Sequence, residues 1–446
     1  MRILFYSTSS NIYDGEAITT TTLPSWTEQW DFLAGKNCGH EILIASQLPA
    51  MFLCDVDGNT IVESGKVRRI LIKSDKEKEI ADELAELKPD IAIAASFYVV
   101  PYDWLTIKDA MVADFLREKG IRTICHSVET ATICFDKWRT HVFLEKLGVN
   151  CAKAVYMHHE LWINGGNRRD LRSNVFRDSV FHEIKKLRFP VIIKDTTGLS
   201  SFGADVVNTY DEAVGILKSK KTTSDRIIEE MLCGEQFGCE IYGTEGNYTI
   251  LPPHKFSVNQ YGITSPKQSV KIGPFGIEKE EFESLKIDEL NEMLLKLANG
   301  MRLNGIAQVD LVFDGEKWFV IEVNPRLSGM STTYAASEGL SLPEMIFNEL
   351  LNSSQRAQRT QRLSLNIKFP ILSRGKLLEL KALPYIVFVN QIENHAARQI
   401  REQGYCEVIL RGKSKKELKE NLVDLREKFS DVAEKHFFDK AFELLG

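Results

Sequence analysis

The chain has 446 residues, of which 43% are hydrophobic and 26% are charged, and its formal net charge at neutral pH is −6. This length predicts roughly two to four domains with hydrophobic cores. The mild negative charge excludes a general basic surface for nucleic acid. No apolar run approaches the about 20 residues of a membrane span, and no signal peptide is visible. The eight cysteines are scattered without a CxxC pair, which predicts reduced thiols and a cytoplasmic location.

Strands and helices alternate along residues 1–125. The predicted strands are Ile3–Tyr6, Glu41–Ala45, Ile91–Ala95 and Ile121–Cys125, and the predicted helices are Glu77–Leu87 and Asp109–Lys119. Such alternation predicts a doubly wound parallel sheet, whose ligands gather at the carboxyl ends of the strands. The Ser- and Thr-rich segment Ser7–Thr22 follows the first strand there, and either a substrate-binding loop or an ordinary polar loop fits it equally well.

The pattern changes near residue 126. Helices are predicted at Asp136–Gly148, Leu285–Met301 and Lys415–Lys428, a polar irregular insertion at 158–182, and a Gln- and Arg-rich linker at 353–362. These features predict a second domain over residues 126–352, with a mobile subdomain at about 186–245. A small C-terminal α+β domain is predicted over residues 363–446.

Lys194 ends an apolar run, Val191–Ile193, that is typical of a buried strand. The loop 195–203 follows and contains Ser200, Ser201 and Gly203, whose hydroxyl and backbone N–H groups suit an anion. A lysine beside such a loop suits the phosphates of a nucleotide, although no GxxxxGK[ST] motif is present. An ordinary turn is the alternative interpretation of this loop.

The segment Ile227–Gly234 combines an apolar run with two acidic residues. One hypothesis is that a strand leaves a sheet here and offers the backbone groups of Met231 and Leu232 to the flat base of a nucleotide. In that hypothesis Glu229 and Glu230 accept hydrogen bonds from the ribose hydroxyls. Taken alone, a strand with an exposed acidic turn explains this segment better.

The clearest chemical signal is a pair of strands joined by the Asp314-Gly315 turn. Alternation places Asp310 and Glu322 across from each other on one face, and Asn324 and Arg326 continue that face. Two neighbouring carboxylates repel each other unless a cation joins them, and Mg²⁺ prefers oxygen ligands that it shares with phosphates. The arginine suits a phosphate or a carboxylate. A solvated hairpin with surface salt bridges is the alternative.

Several segments, taken in order, resemble the ATP-grasp superfamily between about residues 126 and 350. They are Asp136-Lys137, Phe189–Lys194 with its loop to Gly203, Ile228–Gly234, Asp310 and Ile321–Arg326. The resemblance implies an α/β protein with a pre-grasp domain, an ATP-grasp domain of α+β subdomains and a small lid-like C-terminal domain. ATP would be bound by Lys137, Lys194, Ser200, Ser201, Gly203, Glu229, Glu230, Met231, Leu232 and Gln236. Asp310, Glu322 and Asn324 would hold two Mg²⁺ ions, with Mn²⁺ as an alternative metal.

The resemblance implies an ATP-dependent carboxylate–amine ligase that forms an acyl phosphate and then an amide. Arg326 would steady the acyl phosphate, and Lys255 or Lys271 would stabilise the tetrahedral oxyanion. Ser328 and Gly329 would line the substrate pocket. The expected partners are a small carboxylate and a small amine of amino-acid type, with no nucleic acid or membrane, and a homodimer is left open.

Three alternatives are weighed against this interpretation. The segment Leu327–Thr333 does not resemble the His- and Glu-containing segment after the arginine in biotin carboxylases, whereas a purine-pathway ligase remains open. A nucleotide-binding regulator with an inactive site belongs to another class of protein. The joint presence of Lys194, Asp310 and Glu322 argues against it, because an inactive site needs none of them.

Overall fold

A computed structural model describes most of the chain. The described residues are 1–8, 12–13, 16–37, 39–47, 66–97, 104–164, 174–197, 204–258, 270–351, 362–394, 404–432 and 436–446.

The strands are β1 Arg2–Ser7, β2 Ile12–Tyr13, β3 Glu16–Leu23, β4 Glu41–Gln47, β5 Arg68–Ile72, β6 Ile91–Ala94, β7 Arg122–Ile124, β8 Ala154–Met157, β9 Val191–Asp195, β10 Asp205–Val207, β11 Arg226–Glu230, β12 Glu235–Thr244, β13 Asn247–Ile250, β14 His254–Phe256, β15 Lys271–Gly273, β16 Asn304–Phe313, β17 Trp318–Asn324, β18 Leu363–Phe369, β19 Ile386–Asn394 and β20 Gly404–Gly412. The helices are α1 Trp26–Lys36, α2 Glu77–Glu86, α3 Leu105–Glu118, α4 Val128–Phe135, α5 Lys137–Leu147, α6 His159–Asn164, α7 Val175–Ile184, α8 Tyr210–Lys218, α9 Lys279–Ser284, α10 Ile287–Met301, α11 Ser331–Glu338, α12 Leu342–Leu351, α13 Arg374–Lys381, α14 Lys415–Lys428 and α15 His436–Leu445. None of the described helices is long and apolar enough to cross a bilayer.

The N-terminal sheet is parallel, with the strand order β5-β4-β1-β6-β7. Successive side chains of β1 point to opposite faces, so Phe5 packs with Trp30 of α1, and Leu4 packs with Leu84 of α2 and Leu116 of α3. Helices therefore cover both faces of the sheet. This arrangement confirms the predicted doubly wound architecture.

A second, smaller sheet is antiparallel and has the order β10-β9-β11-β8. Helices α6, α7 and α8 cover one of its faces around Trp162, Ile184 and Leu217. The predicted irregular insertion at 158–182 is therefore wrong in part, because α6 and most of α7 lie within it. Apolar side chains such as Trp162 anchor these helices, and the polar residues between them masked that pattern in the sequence.

The large sheet is antiparallel and follows the order β17-β16-β12-β14-β15-β18-β20-β19-β3-β2 through the described residues, with β13 paired to β12. Strand β18 pairs with β15, where Lys271 lies opposite Asn366. The C-terminal strands thus extend the same sheet that carries the β16–β17 hairpin.

Residues Glu16–Leu23 form strand β3, which pairs with β19 from Leu23 opposite Val389 to Ile18 opposite Asn394. This part of Ser7–Thr22 is a strand rather than a loop of either predicted kind. Its threonines are β-branched and suit a strand, but the partner strand lies more than 350 residues away in the sequence.

The two faces of the large sheet differ in chemistry. One face packs into the largest hydrophobic core, with Val309, Ile272 and Val408 among its buried residues. The opposite face carries polar side chains and is partly covered by α11, whose Thr333 hydroxyl accepts a hydrogen bond from Asn366. We refer to this second surface as the polar face, and the candidate site lies on it.

Candidate active site

The predicted hairpin of β16 and β17 is present, and Asp310 pairs directly with Glu322. A bulge follows Asp310, so the register shifts by one residue before Leu311. Burial raises the pKa of Asp310 to about 6, and the facing Glu322 carboxylate adds to that rise. Two half-buried carboxylates therefore meet on neighbouring strands.

A chain of hydrogen bonds runs along the polar face from Asp310 to Arg326. The Gln308 amide donates to Asp310 Oδ1 at 2.7 Å, and Asn324 donates to Gln308 Oε1 at 3.0 Å. Arg326 donates to Asn324 Oδ1 at 3.1 Å. Sequence reasoning missed Gln308, although its spacing of two residues from Asp310 placed it on the same face.

Lysines from two other parts of the fold lie near Glu322, one paired with it directly and one paired with Glu229. Lys137 Nζ lies 3.0 Å from Glu322 Oε1, and Lys194 Nζ lies 2.6 Å from Glu229 Oε2. Burial alone would raise the pKa of Glu322, but Lys137, Lys194 and Arg326 together bring it below its ordinary value. The cleft between the small and large sheets therefore brings both predicted phosphate lysines to the acid pair.

Local structure fixes the position of Lys137. Asp136 caps α5 by accepting from the backbone N–H groups of Trp138 and Arg139, at 2.9 and 3.1 Å. The backbone N–H of Lys137 donates to the carbonyl of Thr196 at 2.7 Å, which ties the start of α5 to the end of β9. The Asp136-Lys137 pair thus combines a helix cap with a cation aimed at Glu322.

The donor set suits a divalent cation with oxygen ligands. Asp310 and Glu322 supply two facing carboxylates, and Asn324 supplies an amide oxygen beside them. No group of three His, Cys, Asp or Glu side chains with metal-binding geometry occurs among the described residues. A metal here would therefore complete its shell with other oxygens, such as phosphate or water.

The predicted adenine-binding segment is only partly arranged as expected. Glu229 shares the Lys194 face of the small sheet, whereas Glu230 lies on the other face, where Arg188 Nε is 3.7 Å from its carboxylate. This orientation contradicts a direct role for the Glu230 side chain in the cleft, because side chains alternate along β11. The backbone N–H of Met231 already donates to Pro190 O at 3.0 Å.

Two other nucleotide candidates have definite positions. Leu232 is half-buried in the connection between β11 and β12, and Gln236 is half-buried on β12 opposite Val312. Gln236 shares the polar face with Asp310, because it precedes Gly238, the partner of Asp310, by two residues. Three further candidates, Ser200, Ser201 and Gly203, lie outside the described residues.

Lys255 and Lys271 are the two lysines predicted to stabilise the oxyanion, and the fold places only one of this pair on the polar face. Lys255 lies opposite Phe237 on the apolar face and forms an ion pair with Glu235. This placement contradicts the Lys255 alternative, since the sheet separates it from Asp310. Lys271 lies on the polar face, and its ammonium donates to Gly329 O at 2.6 Å.

The Ser328-Gly329 segment lies between Lys271 and the buried carboxyl group of Glu240. Ser328 and Ser331 donate to Glu240 Oε1 at 3.0 and 2.5 Å. Burial raises the pKa of Glu240 to about 7, although the hydrogen bonds from Ser331, Tyr242 and Ser328 oppose the rise. Sequence reasoning missed Glu240, an acidic residue between the buried Cys239 and Ile241 of β12.

Arg326 also lies where the hairpin meets the N-terminal sheet. A small cavity there is lined by Ala94 at the end of β6 and Ser96 after it, by His126 after β7, and by Pro325 and Arg326. The carboxyl ends of the parallel strands thus face the arginine, which is the edge where such sheets bind ligands.

Comparisons with known proteins show which families this chain is similar to. Residues 167–352 match the family model described as the D-ala D-ala ligase C-terminus. The chain is 25% identical over 255 residues to the D-alanine–D-alanine ligase of Buchnera aphidicola subsp. Schizaphis graminum, covering 54% of this chain and 77% of that protein.

Solved structures extend the similarity to nearly the whole chain. The L-amino acid ligase from Bacillus licheniformis superposes with a TM-score of 0.64 at 16% identity, covering 96% of this chain and 97% of that one. The N5-carboxyaminoimidazole ribonucleotide synthetase from Thermus thermophilus gives a TM-score of 0.62 at 14% identity, covering 97% and 99%. At these identities the similarity concerns the fold.

Proposed function

We propose that this chain is an ATP-grasp enzyme that joins a carboxylate to an amine at the expense of ATP, as its similarity to carboxylate–amine ligases supports. The substrate carboxylate attacks the γ-phosphate, which gives an acyl phosphate and ADP. The amine then attacks the acyl carbon and expels phosphate, leaving an amide. The known ligases of amino acids among its relatives support amino-acid-like substrates.

The two cleft lysines are suited to bind the nucleotide. Lys137 and Lys194 reach the cleft from α5 and β9, and each is paired with a carboxylate, Glu322 or Glu229. Phosphate oxygens compete for the same ammonium groups, so nucleotide binding exchanges these ion pairs for phosphate contacts. Lys194 in particular would leave Glu229, whose carboxylate is then available to ribose hydroxyls.

Asp310, Glu322 and Asn324 are the residues suited to hold Mg²⁺. When bound, the metal supplies charge neutralisation at the phosphate oxygens during transfer. A site for two ions, and the acceptance of Mn²⁺, belong to this proposal. The acid pair supports it, because the Glu322 carboxylate still raises the pKa of Asp310 despite the lysine and arginine nearby, and a divalent cation would remove that repulsion.

Arg326 and Lys271 supply positive charge on the substrate side of the acid pair. The Arg326 guanidinium ends the hydrogen-bond chain from Asp310, where it can hold the oxygens of the acyl phosphate. Lys271, held by Gly329, suits the oxyanion that forms when the amine attacks. Ser328 and Gly329 line the adjoining pocket in this proposal.

One observation carries the proposal: Asp310 and Glu322 face each other on neighbouring strands, within reach of Lys137 and beside Arg326. The test is release of ADP from Mg-ATP in the presence of amino acids supplied singly and in pairs. We expect at least one mixture to release ADP and to form an amide that mass spectrometry detects. If ATP binds but no carboxylate–amine mixture releases ADP, the protein is a nucleotide-binding regulator instead.

Charge reversal at the acid pair provides the matched mutational test. Glu322→Lys should reduce ADP release at least about a hundredfold, since it removes a metal-binding oxygen and places a cation beside Lys137. Glu316→Lys, in the exposed turn of the same hairpin, should retain activity. Equal activities in the two variants, with both folded by circular dichroism, would exclude Glu322 from the metal site.

A further inference from the structure

A row of polar side chains crosses the polar face beyond the acid pair. In strand order it comprises Lys271, Asn366, Lys368, Glu407, Asn390, Thr20 and Thr22, which we call the polar row. Lys271 lies opposite Asn366, Lys368 opposite Glu407, Glu407 opposite Asn390, and Asn390 opposite Thr22. Directly opposed residues in an antiparallel sheet share a face. The row therefore continues the surface that carries Asp310, across strands β15, β18, β20, β19 and β3.

The centre of the polar row is a buried ion pair. Lys368 Nζ lies 2.5 Å from Glu407 Oε1, and both side chains are 5% exposed. Asn366 is fully buried and donates to the same Oε1 at 2.6 Å. Both donors use one carboxylate oxygen, so the described residues leave Glu407 Oε2 to accept from another donor.

Three further acceptor atoms of the row have no hydrogen-bond partner within the described part of the chain. They are Asn366 Oδ1, Asn390 Oδ1 and Thr20 Oγ1. Asn366 is fully buried and Thr20 is 3% exposed. A buried polar atom without a partner costs about 1–3 kcal/mol, so three such atoms on one face of the sheet indicate a missing donor.

At the start of the polar row, Lys271 is a donor that lacks an anionic partner. The Lys271 ammonium donates to the Gly329 carbonyl, but no carboxylate lies within 4.0 Å of it among the described residues. Burial lowers the pKa of Lys271 to about 8, and Lys368 lowers it further, while Glu407, Asp310 and Glu240 act in the opposite direction. A half-buried lysine ammonium without a carboxylate partner suits an anionic ligand group.

We propose that the polar row binds a zwitterionic α-amino acid substrate, with its carboxylate at Lys271 and its ammonium group at Glu407 Oε2, Asn366 Oδ1 and Asn390 Oδ1. An ammonium group has three N–H donors. The three acceptors lie on β18, β20 and β19, which are consecutive strands of the sheet. The inference rests on the proposed ligase function and adds a substrate site to it.

The residues that would bind the ammonium group come from the C-terminal strands. Asn366, Asn390 and Glu407 all lie beyond residue 352, where the match to the ligase family model ends. The C-terminal segment would therefore contribute substrate recognition, and its strands place that site on the same face as the ATP-proximal acid pair. The competing explanation is a structural ion pair whose unfilled acceptors bind only water.

Variants in the row separate these explanations. Asn390→Leu removes an acceptor for which the described residues offer no donor, so it should leave folding intact and raise the KM for the amino acid at least about tenfold. Glu407→Gln should raise the same KM, with the KM for ATP changed less than about twofold, and should also lower the unfolding temperature because it leaves the buried Lys368 ammonium without its counterion. Asp31→Asn alters a remote ion pair with Arg69 and serves as the control that leaves both KM values unchanged.

Ligand derivatives test the two ends of the site. Using thermal shift with a panel of free α-amino acids, their methyl esters and their N-acetyl forms, we expect stabilisation by free amino acids alone. Esters lack the carboxylate for Lys271, and N-acetyl forms lack the ammonium group for Glu407. Equal stabilisation by all three forms would overturn the proposed site.

The outcomes also distinguish this inference from the ligase proposal. If the wild type releases ADP with amino acids while Asn390→Leu and Glu407→Gln keep the wild-type KM for them, the polar row is structural and the ligase function stands. If no mixture of substrates releases ADP but ATP binds, the ligase function fails. Loss of amino acid binding in both variants, with ATP binding and folding retained, supports the site.

Discussion

At the scale of single residues, Asp310 and Glu322 show how a few positions define chemistry. Alternation along two short strands was sufficient to predict that their carboxylates share a face, and the register bears that out. The partners of these acids could not be read in the same way. Lys137 reaches Glu322 from the start of a helix more than 180 residues earlier, and only the folded chain places the two groups 3.0 Å apart.

His126 provides a residue-scale prediction on acid stability. Its Nε2 lies 2.8 Å from the carbonyl of Ile306, and its Nδ1 accepts from the backbone N–H of Asn304 at 3.2 Å. A neutral ring that is protonated at Nε2 satisfies both contacts, whereas an added proton on Nδ1 breaks the second. Burial and, to a smaller extent, Arg117 lower the pKa of His126 to about 4, against the opposing effect of the Ile306 hydrogen bond.

The unfolded chain therefore takes up a proton at His126 below about pH 6.5, while the folded protein resists it until about pH 4. Stability should fall as the pH drops through this window, by about 3 kcal/mol for this residue. His126→Gln keeps a donor and an acceptor without titrating, so its loss of unfolding temperature between pH 7 and pH 4 should be smaller. Parallel curves for the two proteins would contradict this. Asp109 and Arg326, which line the same cavity as His126, are present in both the wild type and the His126→Gln variant, so their charges do not account for a difference between the two curves.

At the scale of elements, Gly238 on β12 permits the close packing in front of the acid pair. It lies directly opposite Asp310, and a Cβ at this position would come within 2.6 Å of the Phe256 ring and 2.7 Å of the Met330 sulfur. We expect Gly238→Ala to destabilise the protein by about 1–3 kcal/mol through overpacking, and to reduce ADP release.

Gly375→Ala is the control for this substitution, because no atom lies within 4 Å of a Cβ built there in α13. It should be neutral or slightly stabilising, as alanine favours helices. Thermal unfolding of both variants measures the difference. A Gly238→Ala protein as stable and active as Gly375→Ala would show that β12 can shift without disturbing the site.

Elements with their own periodic pattern were predictable from sequence. The helices α10 and α14 match the expected segments within two residues at either end, because their apolar residues recur at helical spacing. Strand β3 was not, since its threonine run lacks apolar alternation and its partner β19 is remote. The polar row was missed for the same reason. Asn366, Asn390 and Glu407 share a face only because the register of three separate strands brings them together, and the sequence does not predict that register.

At the scale of the whole molecule, the large sheet joins segments that the sequence suggests are separate. Strand β15 pairs with β18, and the largest core contains Val309 and Leu311 together with Leu365, Ile367 and Val408. The predicted boundary near residue 352 therefore falls within one continuous hydrogen-bonded surface. The C-terminal segment is thus expected to be part of the sheet that supports catalysis, in addition to any lid-like role.

Removing the C-terminal segment tests this expectation. A chain that ends at residue 351 exposes the edge of β15 and lacks the core residues that β18 and β20 supply, such as Leu365, Ile367 and Val408. We expect this truncated protein to aggregate or to lose cooperative unfolding. Residues 353–446 expressed together with it as a separate chain should restore solubility. A soluble, cooperatively folded 1–351 chain would contradict the integrated sheet.

The pairing of β3 with β19 has a consequence for synthesis. Residues 16–23 leave the ribosome almost first, yet the strand that they pair with ends at residue 394. The N-terminal sheet can assemble early from its own parallel strands. Strand β3, in contrast, remains without its partner β19 until nearly the entire chain has been translated. The edge of the large sheet is therefore closed after translation is almost complete, by a contact whose long sequence separation makes it slow to form.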